Sequence, residues 1–204
     1  LHEAAHGFAA DRLGDNTARM LGRVSLNPLR HIDPIGTVLL PAALLITGAP
    51  FMFGWAKPVP VNFRRLGHPR RDMVLVSAAG PAMNLLLAIA GALMYYGLPF
   101  VPEVAHDWAA LNLRNLLVFN VVLAVFNMLP IPPLDGGRVA IGLLPYKLAY
   151  PLARIEPIGF IVVLVLFFAL PSLLRPMGVD FNPARWLIDI PATFILQAIL
   201  SLFG

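Results

Sequence analysis

Cysteine is absent from the chain, which excludes disulfides and thiolate metal ligands and leaves the redox compartment open. Charge is scarce as well: Asp, Glu, Lys and Arg make up 13% of the 204 residues, against ~25% in soluble domains, while hydrophobic residues reach 58%. Such a balance leaves too few polar side chains to cover a soluble surface, so the chain reads as a polytopic membrane protein. Acid is rarer than base, 11 residues against 15, and the basic excess falls in loops rather than along an aromatic-interleaved face. That pattern suits anionic lipid headgroups and argues against a nucleic-acid partner. There is no internal repeat, no visible cleavable signal and no stretch that reads as an inserted PDZ or CBS module. Position 1 is Leu rather than Met, directly on a motif, and the expectation is that an apolar segment precedes it.

What is present begins with that motif, Leu1-His2-Glu3-Ala4-Ala5-His6. His2 and His6 stand four residues apart on one helical face, a rise of roughly 6 Å, so both imidazoles can reach a single ion at the ~2.0 Å that zinc requires. Glu3 lies one position round the helix, placed to take a proton from water without being a ligand, as in an H-E-x-x-H metalloprotease motif.

A catalytic zinc normally has three protein ligands, so one more is needed. A metzincin-type continuation would put Gly at position 9 and His at position 12, where the chain has Ala9 and Arg12. No Glu occurs between Glu3 and Glu103, so a nearby glutamate cannot serve. Asp135 is the best remaining carboxylate. It follows the uncharged run 115–134 and lies between Pro130, Pro132 and Pro133 on one side and Gly136 and Gly137 on the other. Prolines stop a helix and glycines permit a tight turn, which would aim Asp135 sideways. A carboxylate at membrane depth is a functional candidate by default.

HEAAH on an apolar helix, AGPAMN at 79–84 and NMLPIPPLDGG at 127–137 together resemble the site-2 protease family of intramembrane zinc metalloproteases. The resemblance covers residues 1–139, about two thirds of the chain. It implies that His2, His6 and Asp135 hold one Zn2+, that Glu3 is the general base, and that Asn127 positions the substrate carbonyl or its oxyanion. It further implies an endopeptidase cutting single-pass membrane-protein substrates within or near their transmembrane helices. Two other classes share such a helical architecture, a catalytically silent scaffold and a transporter. The presence of both Glu3 and Asp135 speaks against the first; the lack of a repeat and the gathering of polar residues around one ligand set speak against the second.

The expected fold is an all-α polytopic bundle forming one domain, 1–204, with a catalytic core of about 1–139 and C-terminal helices over 140–204. A small β-strand or re-entrant element should follow the H-E-x-x-H helix. Residues 1–13 read as the end of a membrane helix capped by Gly14, and 22–26 alternate as a short strand would. His31 and Asp33 in the next loop are better explained as turn-formers than as a second metal site. Residues 35–53 are uncharged and barely long enough to cross, and basic residues on both flanks favour a re-entrant path. Segment 57–63 alternates but contains Pro58 and Pro60, which confines it to an edge strand or a headgroup loop. Spans are expected over 73–96, 115–134 and 157–174, and 190–204 should lie in the interface or pack on the bundle. The basic flanks place the zinc site toward the cytoplasmic side of a bacterial or archaeal cell membrane.

Overall fold

The computed structural model describes residues 1–48 and 54–202. Every regular element among them is helical, and contacts divide the chain into two compact units, Leu1–Gly80 and Pro81–Gly204.

The first unit starts with α1 (His2–Arg12), whose Ala4, Ala5, Gly7 and Ala10 are buried. Small residues let other backbone approach closely: a Cβ on Gly7 would stand 3.1 Å from Val59 Cγ1 and 3.3 Å from Val24 Cγ2. The helix ends at Arg12 because Gly14 takes φ 110°, a left-handed turn that a side chain would oppose. A short helix α2 (Thr17–Met20) follows. Asp15, buried between α1 and α2, accepts hydrogen bonds from the Thr17 hydroxyl, the Thr17 N–H and, at 2.6 Å, the Asn62 N–H. It thereby ties this corner to a distant loop. The core of the unit is Ala10, Leu66 and Val76, with Ala9, Leu13, Val61 and Phe63 packed against it.

A π-helical turn (Pro34–Leu39) leads into α3 (Leu40–Ile46), and Asp33 caps the turn by accepting from the N–H groups of Ile35 and Gly36. The combined Pro34–Ile46 helix, at ~1.5 Å per residue, is well short of a ~30 Å hydrocarbon core. Trp55 stands against the start of this helix: its N–H donates to the Gly36 carbonyl at 3.1 Å and its carbonyl accepts from Thr37 Oγ1 at 2.8 Å. Trp55, beyond the apolar stretch, thus lies beside the residues that begin it. Residues 49–53 of the expected 35–53 segment lie outside the described residues.

The expected strands are not formed. Residues 54–62 carry no regular structure, and their backbone groups are taken one by one rather than in a ladder. Lys57 N–H donates to the His31 carbonyl, Arg23 to the Lys57 carbonyl, and Val59 N–H to Glu3. Pro58 and Pro60 remove every second donor between Lys57 and Val61, so no pairing edge survives. Residues 22–26 are likewise irregular, with Arg30 donating to the Gly22 carbonyl and His31 Nε2 bonded to the Ser25 carbonyl at 2.9 Å.

Helix α4 (Pro69–Tyr95) begins on a reciprocal cap, Asp72 Oδ2 accepting from His68 N–H at 2.7 Å, and continues through Pro81. The second unit adds α5 (Glu103–Asn127), α6 (Asp135–Leu143), α7 (Tyr146–Arg154), α8 (Gly159–Leu164), α9 (Leu170–Leu174) and α10 (Ile190–Ser201). Its core is made of Ala88 and Ala92 from α4, Leu117 and Val121 from α5, and Ala192 and Ile199 from α10. The last apolar segment therefore packs on the bundle. Among the described residues, three helical stretches are long and apolar enough to cross a membrane: Pro69–Tyr95, Glu103–Asn127 and Tyr146–Met177.

Candidate metal centre

Within the first unit, α1 aims His2 and His6 at a common point. Their Nε2 atoms are 3.0 Å apart, with the rings at 82° to one another. Two nitrogens each ~2.0–2.1 Å from a tetrahedral zinc stand roughly 3.3 Å apart, so the pair is already close to the spacing that an ion imposes. His6 is oriented from behind: its Nδ1–H donates to the Val76 carbonyl at 2.7 Å. A proton held on Nδ1 leaves the Nε2 lone pair directed toward His2, and a backbone carbonyl in this role is the usual outer partner of a ligating histidine. Opposite the rings α4 carries Gly80, where a Cβ would overlap the ring nitrogens of both histidines. Glu3, between the two histidines in sequence, accepts the Val59 N–H on Oε2 at 2.8 Å.

In the second unit Asp135 is buried and is the first residue of α6. The neighbouring glycines do a different job from the one their pairing suggests. Neither has positive φ; both sit in the first turn of α6, where a Cβ on Gly136 would strike the Met128 and Leu129 carbonyls and one on Gly137 the backbone of Ile131 and Pro132. Gly159 is equally constrained, by the Pro132 carbonyl. The loop 128–134 is thus pressed against the start of α6, and that packing sets where Asp135 stands. Asn127 ends α5, half-buried, with its Nδ2 donating to the Leu123 carbonyl at 3.0 Å, which leaves Oδ1 for another donor.

Two contributors escaped the sequence reading. The Val76 carbonyl is a backbone group and leaves no trace in residue identity. Gly80 was visible within AGPAMN, but only as one small residue among several in an apolar helix.

The Peptidase family M50 model matches residues 101–170. YwhC of Bacillus subtilis (strain 168), a protein named as a zinc metalloprotease, is 42% identical over 179 residues, which span 82% of this chain and 74% of YwhC. Rip2 of Mycolicibacterium smegmatis, named in the same way, is 33% identical over 192 residues, 93% of this chain and 69% of that protein. Rip2 of Mycobacterium tuberculosis (strain H37Rv) is 34% identical over 190 residues, with the same coverage. This chain belongs to peptidase family M50. No solved structure matches it.

Membership in M50, the site-2 protease family, makes the chain a zinc metalloendopeptidase, and its three apolar helices make it a membrane protein. The family match itself begins at residue 101, beyond the histidines, so it is the His2–His6 geometry that speaks for the amino-terminal motif. Imidazole nitrogens and a carboxylate are a donor set that zinc accepts, and the fixed Nδ1 proton of His6 suits it further.

Proposed function

We propose that this M50 peptidase is a multi-pass intramembrane endopeptidase in which His2, His6 and Asp135 hold a single zinc ion, with Glu3 as general base and Asn127 as a donor to the substrate. The observation that carries the reading is the convergence of the two Nε2 atoms with the Nδ1 proton of His6 fixed on Val76. Both units, on this view, act as one catalytic domain, 1–204. When bound, zinc would act as a Lewis acid that polarises the scissile carbonyl and acidifies the attacking water.

The chain's own residues have the remaining steps. Val59 N–H holds one oxygen of Glu3, which leaves the other to take a proton from water. The same carboxyl then passes that proton to the leaving amine. The Asn127 amide, once turned from Leu123, would donate to the developing oxyanion. A helical substrate has its carbonyls occupied by its own backbone, so local unwinding must precede attack. Single-pass membrane proteins with helix-breaking residues near the cut are the fitting substrates. Basic loops on both sides of the re-entrant stretch support a site toward the cytoplasmic face of a bacterial or archaeal cell membrane.

The test is a reconstituted cleavage assay on a single-pass helical substrate, paired with measurement of zinc per chain. Glu3→Gln should retain one zinc and lose cleavage by about 10³-fold. Asp135→Ala should lose both, and Asn127→Ala should slow turnover by about 10²-fold or more with zinc unchanged. Full zinc content in Asp135→Ala would take Asp135 out of the ligand set. Undiminished cleavage by Glu3→Gln would end the assignment of the base.

A further inference from the structure

In the second unit α4, α5 and α10 enclose a cavity of about 380 Å³ at the end where α4 stops. Buried Gly91, Ala92 and Leu117 form its floor, and Val118 and Leu196 line its walls. Gly91 makes the floor possible. A Cβ there would stand 3.3 Å from Leu116, so the glycine lets α4 and α5 approach each other below the opening.

The rim has a different chemistry. Tyr95, Tyr96 and Arg114 are exposed at its edge. Tyrosines at the end of a spanning helix mark the membrane–water boundary, where an apolar ring meets a polar tip. Arg114 is the more informative residue. It lies within the apolar helix Glu103–Asn127, yet it makes no ion pair or hydrogen bond with any described residue. A guanidinium at headgroup depth without a protein partner is suited to an anionic oxygen from outside the protein, and its planar fork matches phosphate.

We propose that this cavity is a binding site for one anionic phospholipid of the surrounding bilayer, with an acyl chain against Gly91, Ala92, Leu117 and Leu196 and the headgroup phosphate on Arg114. An apolar floor beneath a cationic, tyrosine-rimmed mouth is complementary to an amphiphile with its charge at one end. A wholly apolar ligand would leave the arginine unused. A soluble anion would leave the cavity unfilled. The site uses neither the histidines nor Asp135 and stands independently of the peptidase mechanism.

The experiment is native mass spectrometry of the full chain released from nanodiscs of equimolar phosphatidylglycerol and phosphatidylcholine. One phosphatidylglycerol should remain on the wild-type protein in preference to phosphatidylcholine. Arg114→Gln should reduce that adduct about fivefold, the loss expected for one basic contact near the membrane surface. Val118→Phe, which fills the cavity and keeps the arginine, should reduce it as well, whereas Lys147→Gln, outside the cavity, should leave it intact. Equal retention of the two lipids, or an adduct unchanged in both Arg114→Gln and Val118→Phe, would overturn the proposal. So would a second copy of the chain, detected as a dimer that either variant dissolves, in place of lipid.

Discussion

In the unit Leu1–Gly80, the buried side chains Asp15, His31 and Asp72 each bond to the backbone of a neighbouring loop or turn, and arginines 23 and 30 cap further loop carbonyls. In the unit Pro81–Gly204, alanines, a leucine, a valine and an isoleucine from three helices make the core. The difference follows from what each unit must hold. Long apolar helices satisfy their backbones internally and need only close packing. An irregular path such as 22–36 and 54–68 exposes donors and acceptors that must find partners elsewhere. Point changes in the loops of the first unit should therefore act through orientation and charge, and those in the helical core of the second through volume.

The sharpest way to press this comparison is Gly80→Ala. In an ordinary helix interior this change stabilises by roughly 0.5–1 kcal/mol. Here the added methyl would overlap the ring nitrogens of both histidines. Zinc affinity, measured against a chelator, should fall by about 10–100-fold, the range seen when the surroundings of a ligand are disturbed. Thermal stability of the metal-free protein should hold or rise. A variant that binds zinc normally would show that the pair of rings does not depend on this face of α4.

The counterpart in the second unit is Val121→Ala. Val121 is fully buried among Ala88, Ala92 and Ala192, small neighbours that have little side chain with which to fill a void. Removing two methyl groups should cost about 2 kcal/mol in unfolding from detergent. Zinc content should not change, and the loss should be the same across pH because nothing in this cluster titrates. A pH-dependent loss, or a fall in bound zinc, would break the division drawn between the units.

The same contrast explains what could be read from the residues. The long apolar helices and the pairing of His2 with His6 were legible because length, apolarity and i, i+4 spacing are properties of residue identity. The end of α1 was legible through Gly14. Helix α5 starts at Glu103, twelve positions before the uncharged run, since Asp107 and Arg114 interrupt apolarity without interrupting helix. Gly136 and Gly137 were readable as a turn, yet they are helical glycines admitting the loop 128–134, because a glycine records a need for space without saying which neighbour needs it. The expected strands at 22–26 and 57–63 failed for a related reason. Alternation indicates that one face is buried, and Val59 is, but its N–H goes to Glu3 and the prolines beside it cannot extend a ladder.

The smallest effect expected belongs to Asp15, and it carries the signature of the first unit. Burial alone would raise its pKa; the hydrogen bonds from Thr17 and Asn62, with the charge of Arg65, outweigh that and hold the carboxyl below the usual carboxylate range. A group whose pKa is lowered on folding contributes stability that is present above its unfolded value and lost as pH falls through its folded value. Melting temperature should therefore decline on acidification from about pH 4 downward. Asp15→Asn should remove that component of the slope while costing on the order of 1 kcal/mol at neutral pH, because an amide oxygen accepts the Asn62 N–H more weakly than a carboxylate does. The two melting curves should converge at low pH. Curves that stay parallel throughout would mean that the carboxylate charge contributes nothing to closing the α1–α2 corner, and that the polar network acts there by shape alone.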